Sequence, residues 1–188
     1  MKIQNLLLVG LLCGCATKPV DSPVCPSHAI ISDLAQLPLT TSSHTSSYVK
    51  IRNLKMNCDD GNTFKLSFGT EAVTSTALKS GDAIVVPYFI AVVDGKETVL
   101  DRKDYILKIP AKSFSQTHEG TNFAENTFSI SYTVSENFNP RQDRLLVGLT
   151  LTPEQRQFVT VEKASKLELL KQEANIQEIQ QKKIKATQ

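Results

Sequence analysis

Ile84-Val85-Val86-Pro87-Tyr88-Phe89-Ile90-Ala91-Val92-Val93 is the most apolar run of the chain beyond its N-terminus. Successive side chains of a strand point to opposite faces. Ile84, Val86, Tyr88, Ile90 and Val92 would line one face, and Val85, Phe89, Ala91 and Val93 the other. A strand apolar on both faces is covered on both sides, so its sheet needs a second layer. Pro87 cannot donate a ladder hydrogen bond, which points to a bulge or an edge position. Ser80-Gly81-Asp82 leads in and Asp94-Gly95-Lys96 leads out, both with turn chemistry.

Shorter strand signals lie on either side. Ala29-Ile30-Ile31 and Leu34 to Leu39 form a short apolar element broken by Pro38, a first edge strand followed by a turn. Thr40 to Ser47 is Ser- and Thr-rich and reads as a loop carrying His44. Ile51, Leu54, Met56 and Cys58 alternate with polar residues apart from one break, the mark of a bulge. Asp59-Asp60-Gly61-Asn62 turns the chain into Phe64, Leu66 and Phe68, giving a hairpin. Thr98 and Leu100, then Tyr105, Leu107 and Ile109, form one or two strands ending at Pro110. Lys112 to Asn126 reads as a loop with His118. Phe128, Ile130, Tyr132 and Val134 alternate cleanly, and Leu145 to Leu151 is a last buried strand stopped by Pro153.

These signals predict an all-β fold: a single β-sandwich of about seven strands over residues 27–153, of which the immunoglobulin arrangement is one form and a small barrel the alternative. The chain has 188 residues, of which 40% are hydrophobic, enough for one domain with a real core. A formal net charge of +2 leaves no electrostatic footprint for nucleic acid.

The N-terminus reads as an export signal. Lys2 supplies the positive charge, Leu6 to Leu12 the short apolar segment, and Gly14 a small residue before Cys15. The segment is too short to span a bilayer. Leu12-Cys13-Gly14-Cys15 resembles the bacterial lipobox, which implies cleavage after Gly14 and acylation of Cys15. Ala16 after that cysteine, by resemblance to sorting rules, implies the outer membrane. Residues 1–14 are then signal peptide and 15–26 a lipidated tether rich in proline. Attachment of several acyl chains at Cys15 would be effectively stable. Of the four cysteines, Cys25 and Cys58 remain, an even pair in an oxidising compartment, and read as a disulfide. Closing that loop stabilises by roughly 3–4 kcal/mol in the chain-entropy view. A metal ligand pair or a catalytic thiol is the alternative.

Three stretches carry a family resemblance: Cys25-Pro26, Val86 to Asp94, and Leu146-Val147-Gly148-Leu149-Thr150-Leu151-Thr152-Pro153-Glu154. They resemble a family of bacterial envelope lipoproteins to which no reaction is assigned. The resemblance spans most of Cys25 to Glu154 and implies a compact β-sandwich behind a lipid anchor, with nothing catalytic. The C-terminal segment is longer than that family's.

Residues 154–188 form a charged tail, helical or disordered. Val159 to Gln188 has no Gly, Pro, Cys or aromatic residue and is rich in strong helix formers. Glu162 with Lys166 and Glu178 with Lys182 stand at the favourable i,i+4 spacing. Leu169, Ile176 and Ile179 begin an a/d seam, but polar residues interrupt it before three heptads accumulate.

No reaction chemistry is visible. His28, His44 and His118 share no ligand spacing, and neither a G-x-S-x-G elbow nor a phosphate loop occurs. Asp59-Asp60-Gly61-Asn62 lacks calcium-loop spacing. Asp101 and Asp104, beside Arg102 and Lys103, read as a charged turn. The sequence therefore predicts a non-enzymatic binding or scaffold module without a cofactor. It would be anchored by Cys15, probing an envelope partner through Ile84 to Val93 or through the tail. An envelope hydrolase with a dispersed site and a carrier of a small hydrophobic ligand are the other readings.

Overall fold

The computed structural model describes residues 24–39, 47–60, 62–117 and 120–186. Residues 1–23, with the signal, Cys15 and most of the tether, lie outside that set, as do His44, Gly61 and His118. The described residues form nine strands and one helix. The strands are β1 (Ser27–Ile30), β2 (Gln36–Pro38), β3 (Tyr48–Asp60), β4 (Thr63–Thr74), β5 (Ala83–Val93), β6 (Val99–Pro110), β7 (Ser115–Gln116), β8 (Asn122–Thr133) and β9 (Arg144–Leu149). The helix is α1 (Pro153–Ala186).

Two sheets pack face to face, one ordered β1-β9-β5-β6 and the other β2-β3-β4-β8-β7. This is the expected sandwich. The run β3-β4-β8-β7 follows the A-B-E-D order of the immunoglobulin arrangement and β9-β5-β6 the F-C-C′ order of its variable form, with β1 added in parallel beside β9. The count exceeds seven because β2 and β7 are short edge strands of three and two residues.

β5 is an interior strand, flanked by β9 and β6. Val86, Tyr88, Ile90 and Val92 join the central core against Leu66 and Phe68 of β4. The Tyr88 ring meets Phe68 edge-on at 5.4 Å and stacks on Tyr105 at 5.3 Å, separations at which aromatic pairs gain beyond simple burial. On the outer face Phe89, Ala91 and Val93 are buried as well, and the Arg102 guanidinium lies 4.0 Å from the Phe89 ring centre. Double-sided cover therefore holds from Phe89 onward. It fails at the start of the strand, where Val85 is 53% exposed.

Pro87 sits neither at a bulge nor in an edge strand. Its carbonyl accepts the Thr150 N–H at 2.9 Å, beyond the last rung of the β5–β9 ladder at Tyr88 and Leu149. A missing donor is tolerated at a ladder's end. The bulge in β5–β6 pairing falls instead between Val92 and Val93. The expected break in β3 is present, with a register shift between Arg52 and Lys55 and Asn53 at φ 55°, a conformation Asn tolerates better than most residues.

Two expected loops are strand. The stretch from Lys112 to Asn126 contains β7 and the first five residues of β8, whose Asn122 to Asn126 pair with Thr74 to Thr70. Those residues are mostly polar and carry a weak strand signal; β4 alongside supplies the ladder that holds them. Asp101 and Asp104 lie inside β6 and not in a turn. The turn is Asp94 to Thr98, where Asp94 Oδ1 accepts both the Lys96 and Thr98 N–H at 2.8 Å.

Gly148 of β9 faces Phe89 across the ladder. A Cβ there would stand 2.9 Å from Phe89 Cζ and 3.1 Å from Leu34 Cβ. Gly148→Ala should therefore lower stability by about 1–3 kcal/mol, the usual cost of overpacking. The check is the denaturant midpoint at unchanged slope, and a midpoint equal to that of the parent chain contradicts this packing.

Candidate functional site

The C-terminal helix is built to begin sharply. Thr152-Pro153-Glu154-Gln155 forms a capping box with proline at the first helical position. Thr152 Oγ1 accepts the Gln155 N–H at 3.3 Å, and Gln155 Oε1 accepts the Thr152 N–H at 2.9 Å. Backbone N–H donation at the helix start, then the Thr152 hydroxyl, hold the Glu154 carboxyl below its usual range, as the positive end of a helix favours an anion.

The first turns dock on the β2 edge. Gln155 Nε2 donates to the Pro38 carbonyl at 2.9 Å, Val159 is buried, and Lys163 pairs with Asp33 while donating to the Ser32 carbonyl. The Lys163 hydrogen bond and charge lower the Asp33 pKa. Beyond these contacts the side chains from Thr160 to Ala174 are exposed. Val161, Leu167, Leu169 and Leu170 are each more than half exposed. At 1.5 Å per residue, 34 helical residues extend about 50 Å. Most of that length stands clear of the sandwich. Between helix and sheet runs a groove of about 310 Å³, bordered by Gln36, Lys50, Val159, Glu162 and Lys166 among others.

A second polar feature crosses the outer face of the β3-β4-β8 sheet. Arg52 of β3 reaches Glu71 of β4 at 3.1 Å and Glu125 of β8. It reaches that far by lying over Gly69, whose missing side chain leaves a path for the Arg52 stem. Tyr48 donates to Glu71 at 2.7 Å, and burial followed by that hydrogen bond pushes its phenol up to about 12. Both carboxylates are engaged by the guanidinium, so the cluster reads as a cross-strand clamp, worth at most about 1 kcal/mol per exposed pair.

The third feature closes the side of the sandwich between β6 and β8. Tyr132, fully buried, donates to Asp101 at 2.8 Å. Lys103 lies 4.5 Å from the Tyr132 ring centre and donates to the Thr133 carbonyl at 2.8 Å. Burial first, and then the Asp101 hydrogen bond, raise the Tyr132 pKa. Burial raises Tyr88 to about 12 and also raises Tyr105.

The chain matches no protein-family model, no curated protein and no solved structure.

Of the residues singled out in the sequence, Cys25 and Cys58 come together, with Cα atoms 5.6 Å apart, within the disulfide range. Among the described residues, no three His, Cys, Asp or Glu side chains gather as a metal site. His28 stands at the surface beside the Pro26 carbonyl. Asp101 and Asp104 bond different partners, Tyr132 and Arg102, and form no dyad. The strand Ile84 to Val93 offers a partner little beyond Val85 and its neighbour Ile106. Sequence reading missed the Arg52 clamp and the Tyr132–Asp101 bond, since both join residues far apart in the chain. The sole local signal was Gly69 inside an otherwise regular strand pattern.

The tyrosines set an alkaline limit. Tyr48, Tyr88, Tyr105 and Tyr132 are raised above a phenol's ordinary value in the folded state. The folded chain therefore binds more protons than the unfolded chain once pH passes the unfolded phenol value near 10. The tyrosine contribution to stability should be constant below about pH 10 and fall above it, through the folded values near 12. Tyr132→Phe should make that fall shallower while costing about 1 kcal/mol at neutral pH through its lost hydrogen bond. Denaturant titrations across the alkaline range are the measurement; an equally steep fall in the variant contradicts the assignment to Tyr132.

Proposed function

We propose that this chain is a lipid-anchored bacterial envelope protein and acts as a non-enzymatic binding or scaffold module. The observation that carries this reading is the helix α1, capped at its start, docked by its first three turns and exposed beyond them. A long helix with Leu167, Leu169 and Leu170 in solvent is suited to lie against another protein, since apolar side chains gain most when a partner removes them from water. The sandwich is the rigid base that sets the arm's starting direction. The lipobox resemblance at Leu12 to Cys15, the proline-rich tether and the resemblance to envelope lipoproteins support anchoring through Cys15, in the outer membrane and facing the periplasm. In that oxidising compartment Cys25 and Cys58 form a disulfide.

Photo-crosslinking side chains at Leu167 and Leu170 in cells should trap a protein partner, while the same group at Ser129 on the sheet face should not. Adducts at all three positions, or at none, count against the helix as the contact element. Cys15→Ser should abolish incorporation of labelled fatty acid and move the protein from the membrane to the soluble fraction. Label retained by that variant removes the anchor from the proposal.

A further inference from the structure

The N-terminal strand is held on by less than any other part of its sheet. β1 pairs in parallel with β9 over four residues, Ser27 to Ile30 against Arg144 to Val147. Ser27, His28 and Ala29 are exposed and Ile30 is half-buried, while Pro26 is the one buried residue of this segment. Short parallel pairings are weak on their own. From Ser32 onward the chain is fixed differently. The Ala35 carbonyl accepts the Ile51 N–H at 2.8 Å, and Leu37 is buried. β9 is likewise secured without β1, through six pairs to β5 on its other side. Immediately before β1 stands Cys25, whose sulfur partner Cys58 lies on β3 in the opposite sheet. Cys25 is exposed and Cys58 buried, so an incoming thiolate reaches the Cys25 sulfur first.

We propose that β1 is a redox latch: the Cys25–Cys58 disulfide clips it over the edge of β9, and reduction by a dithiol releases it about a hinge at Ile31 and Ser32, baring that edge. This rests on the disulfide assigned above. The dithiol's thiolate attacks Cys25 Sγ, the S–S bond breaks, and its electron pair leaves on Cys58 Sγ, which takes a proton. The second dithiol sulfur then attacks the mixed disulfide, closing a new disulfide and freeing the Cys25 thiol. Two electrons and two protons pass from the dithiol to the cysteines. A disulfide with one exposed half beside a weakly held strand is open to thiolate attack from that side. The bared edge of β9 would present N–H and C=O groups free to pair with another extended segment.

The test is amide hydrogen exchange on the full chain, oxidised and then reduced with dithiothreitol, with the Cys25→Ser, Cys58→Ser double variant as a second reduced form. Ser27 to Ile31 should lose protection by about tenfold or more on reduction, as expected for a locally opening unit. The Ile31 N–H, which donates to the Val147 carbonyl at 2.9 Å, is the most direct reporter. Amides of β4 and β5 should hold their rates. Alkylation of the untreated chain under denaturing conditions, with the modified sites located by peptide mapping, reads the pair itself. Alkylation at both Cys25 and Cys58 overturns the disulfide and the latch with it. A disulfide with β1 equally protected after reduction overturns the latch alone. Loss of protection across the whole sandwich at once also overturns it, because the pair would then hold the entire fold and not one strand.

Discussion

The structure depends on removing the core face of β5 from water. Val86 and Ile90 are wholly buried there and Tyr88 nearly so, and each fully buried large apolar side chain contributes about 1.5–3 kcal/mol. That face can be covered only by a second sheet, and β4 supplies it through Leu66 and Phe68. β9 and β6 then follow as the ladder partners that satisfy β5's backbone groups. The outer face adds a second demand. Phe89, Ala91 and Val93 are buried there too, and for Phe89 Arg102 and the bare backbone of Gly148 supply part of the cover, with Leu34 alongside. The guanidinium lies over the Phe89 ring, and Gly148 lets that ring settle onto β9.

Charge is arranged around that apolar centre so that, among the described residues, Asp143 is the one buried ionic side chain; its Oδ2 accepts the Asn139 N–H at 2.8 Å, closing the loop before β9. Elsewhere ion pairs lie at the surface: Arg52 of β3 joins Glu71 and Glu125 on neighbouring strands, and Arg144 of β9 meets Glu97 in the turn between β5 and β6. Such pairs contribute little energy individually. Their effect is on register, because Arg52 meets both glutamates only when β3, β4 and β8 are aligned as observed. Register matters in a sheet with one buried face, since a slip of one residue would turn the core outward.

How much of this is legible in the sequence depends on whether the signal is local. β5 announces itself by ten apolar residues between two turns, and β4 and most of β8 by alternation of period two. The pairing of Cys25 with Cys58 is legible from cysteine count and the signal-peptide reading. The start of β8 is not, because Asn122, Glu125 and Asn126 have little strand preference of their own and are held by β4. The direction in which Asp101 points is not legible either. It is set by the buried hydroxyl of Tyr132, 31 residues away. Strand order is the least legible of all, since β5 with β9 and β4 with β8 pair across long intervals that hydrophobic pattern does not encode.

The helix obeys a different logic from the sandwich. Among the residues whose side chains are described, its contacts with the body end near Lys166 and those from Leu167 to Ala174 are exposed, so tertiary packing does not explain the helix there. Local terms do. The sequence there is almost wholly strong helix formers, begun by a capping box that removes the costly first step of nucleation. Propagation then needs only the favourable residues that follow, aided by spacings such as Glu162 to Lys166. An arm that is helical through its own sequence is already ordered before any partner arrives. Binding along it would forgo most of the backbone entropy cost that a segment folding on contact must meet. Val161, Leu167 and Leu169 are spread around the helix with no single seam, so no one face is apolar enough to fold the arm back on its own sheet, and a partner would have to reach more than one side of it.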